Sequence, residues 1–114
     1  MPNISNPSIA WLILLVAGLL EVAWAIGLKY SDGLSKTGIA IFTVVTAWLS
    51  FYLLGMTLKA LPVGTAYAVW TGIGAVGAAI CGIWLFDEPA TVARLSCIAL
   101  IVGGILGLKL LSGE

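Results

Sequence analysis

Glu21 is the one acidic residue inside the long apolar runs of this chain, and chemistry is expected there first. The run around it, residues 9–28, has the length of a helix that crosses the hydrocarbon core of a bilayer. A carboxylate at that depth is costly unless it is protonated, paired or hydrated. Glu21 therefore marks a candidate functional site, and its partners should lie in the other apolar runs.

Four further residues have side chains suited to surround this acid. Trp24 follows Glu21 by one helical turn, so its indole lies on the same face. Ser50 lies in the middle of the second apolar run, at the depth expected for Glu21, and is the preferred hydroxyl partner. Tyr67 and Trp70 are one turn apart in the third run and share a face. These side chains predict a midplane pocket with one carboxylate, several hydrogen-bond donors and aromatic walls.

Such a pocket holds a proton or a cation, but not both well, and this competition is sufficient for exchange. A planar delocalised cation suits a carboxylate between aromatic faces, because it can donate two parallel N–H···O bonds while the rings contact its face. A quaternary ammonium ion has no N–H and would use the aromatic faces alone. The residues thus favour guanidinium-like ions without excluding the other class. The alternative role for tryptophan, an interfacial belt, fits Trp11 and Trp84.

Hydroxyls and small residues in the remaining runs have structural interpretations. Thr43, Thr46 and Thr57 share a face of the second run and are each expected to bond the backbone carbonyl one turn back. Gly72 and Gly74 remove side chains from the middle of the third run, which favours close packing over the alternative, a bend.

The fourth run contains a ridge of small residues. Ala99, Gly103 and Gly107 recur every four residues, a spacing typical of helix association in lipid. The ridge has no polar group to offer a substrate. It is therefore predicted to be the contact between subunits.

The composition indicates four membrane spans. The 114-residue chain is 61% apolar and 9% charged, whereas about a quarter of the residues in a soluble domain carry charge. We predict an all-α membrane protein in one domain over 1–114, with helices at 9–28, 38–57, 63–86 and 91–111 after a short polar lead, 1–8. Four short helices cannot easily enclose a solute pathway, so self-association is expected.

The charged residues give almost no orientation signal. Basic residues at the helix ends are Lys29, Lys36 and Arg94 on one side, against Lys59 and Lys109 on the other. A chain without a positive-inside bias can insert both ways, which would allow antiparallel pairing of identical subunits. We expect no metal, no cofactor, no nucleic-acid partner and no enzymatic activity, because the sequence has no histidine, nucleophile–base pair or phosphate loop.

Two stretches resemble a known family. Residues 11–29 (WLILLVAGLLEVAWAIGLK) and 64–75 (GTAYAVWTGIGA) are similar to the small multidrug resistance transporters, and the resemblance extends over nearly the whole chain. The tryptophan one turn after the glutamate resembles the guanidinium exporter subtype rather than the quaternary ammonium exporters. The resemblance implies an antiparallel dual-topology homodimer in the bacterial inner membrane that exports guanidinium in exchange for protons. Small substituted guanidines are further candidate substrates.

The resemblance also implies roles for individual residues. Glu21 of both subunits would be the shared proton and substrate site. The residues implied to hold and orient it are Trp24, Ser50, Tyr67 and Trp70. Gly72 and Gly74 would fall at a bend of the third helix, and the fourth helix would form the main dimer contact. The competing functions are export of quaternary ammonium or hydrophobic cations, a passive cation channel, and an accessory membrane subunit without transport activity.

Overall fold

The structure, a computed structural model, describes residues 6–111. Its four helices are α1 (Pro7–Tyr30), α2 (Thr37–Thr57), α3 (Val63–Leu85) and α4 (Val92–Leu111). Each helix is long and apolar enough to cross a bilayer, and residues 6–111 contain no strand. The all-α, four-span architecture predicted from composition is confirmed.

The first helix begins earlier than its hydropathy indicates. Asn6 is the N-cap, and its side chain accepts a hydrogen bond of 2.9 Å from the backbone N–H of Ser8. Pro7 occupies the first helical position, where its missing N–H costs nothing. Residues 7 and 8, expected in the polar lead, therefore belong to α1, and residues 1–5 of that lead lie outside the described residues.

Ser31 ends α1 and organises the turn into α2. Its hydroxyl donates to the Leu28 carbonyl at 2.8 Å and accepts from the Leu34 N–H at 2.9 Å. Asp32, Gly33 and Leu34 then all have positive φ angles, of 52°, 72° and 69°. Ser31 is fully buried, and its hydroxyl satisfies two backbone groups of this tight reversal, the Leu28 carbonyl and the Leu34 N–H.

The first helix is the centre of the subunit, because it packs against both α2 and α3. Two glycines of α1 allow α2 and α3 to approach it closely. A Cβ built on Gly18 would lie 2.6 Å from Cγ2 of Ile73 on α3, and one built on Gly27 would overlap the Thr43 hydroxyl on α2. In a bilayer, close backbone approach of this kind replaces the hydrophobic effect as the main source of helix association.

The fourth helix is attached differently. It packs against α3 and contributes no buried residue to the subunit. Ala99 and Gly103 are exposed, and a Cβ built on Gly103 or Gly107 would meet nothing within 4 Å. The ridge of small residues therefore lies on an open surface of the described subunit.

Candidate functional site

Glu21 lies in the middle of α1 and faces α3. A Cβ built on Gly74 would overlap the Glu21 carboxylate, so the carboxylate occupies space that only a glycine leaves open. The Oε1 atom is buried and has no hydrogen-bond partner among residues 6–111. A buried oxygen left in that state is costly, so the site suits a proton or a ligand that donates to it.

A layer of hydrogen bonds lies one turn before Glu21 and joins three helices. The Ser50 hydroxyl on α2 donates to the Ala17 carbonyl on α1 at 2.7 Å, and Trp70 Nε1 on α3 donates to the Ser50 oxygen at 2.9 Å. Ser50 is fully buried and Trp70 is nearly so. In an α-helix the Ala17 carbonyl also accepts the Glu21 amide N–H. The layer therefore positions the stretch of backbone that carries the acid.

This layer corrects the pairing expected for Ser50. A hydroxyl has one hydrogen to donate, and that of Ser50 goes to the Ala17 carbonyl rather than to Glu21. The Ser50 hydroxyl therefore meets α1 one turn before Glu21. The rotation of α2 about its own axis decides which acceptor the hydroxyl meets, and depth does not determine that rotation.

The threonines of α2 behave as expected. Their hydroxyls donate to backbone carbonyls one turn back in the same helix: Thr43 to Ile39 at 2.8 Å, Thr46 to Phe42 at 2.8 Å and Thr57 to Leu54 at 2.7 Å. This prediction is confirmed. Ser50 differs from all three, because its hydroxyl bonds a neighbouring helix.

Four aromatic rings form a continuous chain across the site. Phe51 lies 6.2 Å from Trp24 and 5.5 Å from Trp70, and Tyr67 lies 5.5 Å from Trp70, between ring centroids. All three pairs are tilted, a geometry in which ring edges meet ring faces favourably. The chain links the tryptophan one turn after Glu21 to the two predicted aromatic residues of α3.

Phe51 was missed from the sequence, although it is the ring that connects α1 to α3. The available signal was its position: it follows Ser50 directly, in the middle of a span, where an interfacial role is excluded. Trp24 leaves its indole N–H buried and without an acceptor in the described part of the chain. Tyr67 is 56% exposed, so its ring also presents a surface to the outside of the subunit.

The two glycines predicted together in α3 face different neighbours. Gly74 faces Glu21, whereas a Cβ built on Gly72 would lie 2.9 Å from Cδ1 of Ile105 on α4. The helix is continuous through both positions. In this subunit they act as points of close approach, and a bend there stays a prediction.

Fold and site together define a small multi-pass membrane protein that buries one acid among three helices and a chain of aromatic rings. The family model described as Small Multidrug Resistance protein matches residues 9–101. The chain therefore belongs to the small multidrug resistance protein family. It is a multi-pass protein of the bacterial inner membrane.

Three relatives refine this assignment, and each is named a guanidinium exporter. The proteins from Salmonella typhimurium (strain LT2) and Escherichia coli (strain K12) are both 59% identical over 101 residues, which is 89% of this chain and 96% of theirs. The protein from Yersinia pseudotuberculosis is 59% identical over 103 residues, or 90% of this chain and 99% of its own. The resemblance to the guanidinium exporter subtype is confirmed, and these relatives are named as exporters.

Proposed function

We propose that this chain exports guanidinium, and small substituted guanidines, across the inner membrane in exchange for protons. Glu21 from each of two subunits is the shared site for the proton and the cation. The observation that carries the proposal is the buried Oε1 atom of Glu21, which has no partner among the described residues. It occurs in a chain 59% identical to proteins named guanidinium exporters.

The chemistry of the cation fits the groups around the acid. A guanidinium ion donates two parallel N–H bonds to a carboxylate, and charge-assisted bonds of this kind are about twice as strong as neutral ones. The Trp24 N–H cannot bond a cation and has no acceptor within residues 6–111, so in this proposal it donates to the Glu21 carboxylate only when the cation is bound. The faces of the ring chain through Phe51 and Trp70 contact the planar ion.

Exchange follows from competition for one carboxylate. A proton on Glu21 removes the negative charge and one of the two acceptor oxygens, so the cation is released. Where protons are abundant the cation leaves, and where they are scarce it binds. A proton gradient directed inward therefore drives the cation outward.

The transporting unit in this proposal is an antiparallel homodimer. Its contact is the ridge of Ala99, Gly103 and Gly107, which is open on the described subunit. Antiparallel identical subunits make the inward-open and outward-open states equivalent, as inverted repeats do in single-chain transporters. Gly72 and Gly74 are the positions at which α3 bends when the two subunits exchange shapes.

The test is solid-supported membrane electrophysiology on proteoliposomes of the purified protein. Guanidinium should evoke a current whose apparent affinity falls as the pH is lowered, because protons compete for Glu21. Glu21→Gln should abolish the current while the protein still elutes as a dimer. Glu88→Gln makes the same substitution in the loop after α3 and should transport normally.

The competing functions give distinct results in the same apparatus. Current with tetrapropylammonium but none with guanidinium would identify a quaternary ammonium exporter. Current without coupled proton movement would identify a channel. Silence with both ions would identify an accessory subunit, and transport by Glu21→Gln would refute the proposed site.

A further inference from the structure

The last turn of α1 and the C-cap residue of α3, Phe86, meet at one membrane face. The Lys29 ammonium lies 4.9 Å from the centroid of the Phe86 ring, and the centroid of the Tyr30 ring lies 5.2 Å from the same point. The two aromatic planes are tilted by 48°, so a ring edge meets a ring face. We call these three side chains the clasp, because they join the ends of α1 and α3.

Each half of the clasp is fixed to its own helix. On α3, the Gly82 carbonyl accepts the backbone N–H groups of Phe86 and Glu88, at 3.0 and 3.2 Å, so the chain folds back over the last turn. On α1, the buried Ser31 hydroxyl bonds backbone groups on both sides of itself and fixes the chain directly after Tyr30. The Phe86 ring therefore moves with the end of α3, and its two partners move with the end of α1.

The clasp responds strongly to a bend of α3, because it is far along the helix from Gly74. Between Gly74 and Phe86 the helix rises about 18 Å. A bend of about 20°, the size of a sharp kink, displaces the end of such a segment by about 6 Å. A sideways displacement of that size takes the ring beyond the range of about 6 Å within which it attracts a cation. A bend of α3 at Gly74 therefore opens the clasp.

We propose that the clasp is closed in one subunit of the dimer and open in the other, and that the two subunits swap these states in each exchange. This inference rests on the proposed antiparallel dimer, whose subunits exchange shapes. The structure describes the closed state, with the Phe86 ring against Lys29 and Tyr30. Because the inward-open and outward-open states of such a dimer are equivalent, each contains one closed clasp. The clasp therefore adds to the barrier between the two states and does not change their populations.

Weakening the clasp should speed the exchange of subunit shapes without changing the affinity for guanidinium. One closed clasp stabilises both end states equally, whereas midway through the exchange one clasp has opened and the other has not yet closed. Lys29→Gln should therefore raise the exchange rate roughly two- to fivefold, the factor that corresponds to a cation–π contact at an exposed site. Lys29→Arg should keep the wild-type rate, because a guanidinium group also stacks on an aromatic ring.

Nuclear magnetic resonance of the full-length dimer in bicelles, with phenylalanine isotope-labelled in the ring, tests the proposal. The chain has three phenylalanines, and the signals of Phe86 are those that disappear in Phe86→Leu. We expect two Phe86 signals, one for each state of the clasp. Lys29→Gln should shift only the signal of the closed clasp, because the ring of the open clasp is out of reach of the ammonium. Exchange cross-peaks between the two signals give the rate.

Lys36→Gln is the matched control for Lys29→Gln. Lys36 is the N-cap residue of α2, on the same membrane face as the end of α1. Its replacement removes one positive charge from that face, so it changes the bias for membrane insertion by the same amount. It should leave the Phe86 signals and the exchange rate unchanged. Size-exclusion chromatography and thermal unfolding confirm that each variant is a folded dimer.

The outcomes that overturn the clasp are distinct from a failure of guanidinium export, which the wild-type current measures separately. If Lys29→Gln shifts both Phe86 signals, the clasp is closed in both subunits, and if it shifts neither, the dimer has no such clasp. Equal exchange rates in Lys29→Gln and Lys36→Gln would show that the clasp adds nothing to the barrier. A selective shift and a faster exchange in a protein without guanidinium current would support the clasp and refute the proposed export. A single signal for each phenylalanine would refute the exchange of shapes, and the clasp with it.

Discussion

The helices α1 to α3 and the helix α4 are held in the subunit by different means. The first three share buried hydrogen bonds between helices and several glycines that admit a neighbouring side chain, whereas among residues 6–111 only Gly72 admits side chains of α4. The fourth has no buried residue among Val92–Leu111, and its small residues face open space. In lipid there is little hydrophobic gain from burying an apolar helix, so packing and hydrogen bonds decide which helices associate. The comparison teaches that one subunit fixes the backbone around Glu21 through bonds between three helices, whereas it buries no residue of the fourth helix.

The largest effect should come from breaking the proposed role of α4. Gly103→Leu combined with Gly107→Leu places two large side chains on the open ridge. We expect the dimer to dissociate and guanidinium transport to be lost, because close helix approach in lipid depends on small residues. Dimer content can be measured by multi-angle light scattering in detergent.

The matched control for this variant is Gly64→Leu in α3. A Cβ on Gly64 also meets nothing within 4 Å, so the same substitution is tolerated by the subunit. It should stay dimeric. If the ridge variant is dimeric as well, α4 does not pair through Gly103 and Gly107.

The second-largest effect should come from helices α1 to α3, the part of the subunit that carries Glu21. Gly74→Ala adds a Cβ where the Glu21 carboxylate lies. The carboxylate is the flexible end of its side chain, so it moves aside with little loss of stability. Guanidinium affinity should fall roughly tenfold or more, because small misplacements of a binding group are costly.

Isothermal titration with guanidinium measures this loss, and Gly64→Ala provides the control on the same helix. Normal affinity in Gly74→Ala would mean that Glu21 does not bind the cation from the position described here. A large loss of thermal stability would mean that Gly74 matters for packing alone.

A smaller effect is expected from the hydrogen bonds that tie α2 to its neighbours. Ser50→Ala leaves the Trp70 N–H buried without an acceptor, which should destabilise the subunit by about 1–3 kcal/mol. A double-mutant cycle with Trp70→Phe should give a coupling energy of about 1 kcal/mol. Equilibrium unfolding in mixed micelles measures both quantities.

Thr46→Ala is the comparison variant for that cycle. The Thr46 hydroxyl bonds carbonyls of its own helix. Removing it should therefore destabilise the subunit less than removing the Ser50 hydroxyl. If Ser50→Ala and Thr46→Ala are equally stable, the bonds between helices do not distinguish the first three helices from the fourth.

The smallest effect is predicted where α4 begins. Arg94 donates to the Glu88 carboxylate at 3.0 Å, and both side chains are more than a third exposed. Exposed ion pairs contribute about 0–1 kcal/mol, so Arg94→Gln should leave guanidinium transport intact and change stability little. Thermal unfolding and the transport assay check this. A large destabilisation would show that α4 is held firmly within one subunit, contrary to the comparison above.

Much of the architecture could be predicted because it depends on local composition. The hydropathy of each run determines that it spans the bilayer, and the position of Glu21 in its run determines its depth. The threonine bonds of α2 also involve only neighbouring turns of one helix, and they are found as predicted. None of these features requires knowledge of which helices meet.

The tertiary structure decided how the helices are rotated against one another. Ser50 was expected level with Glu21, yet its hydroxyl bonds the Ala17 carbonyl one turn earlier in α1. Gly72 and Gly74 are two residues apart, so they point about 200° apart and meet different helices. Phe51 became part of the site because α2 turns that ring between Trp24 and Trp70. Rotation and register are set by the side chains of several helices packing at once, and the periodicity of a single helix carries no information about its neighbours.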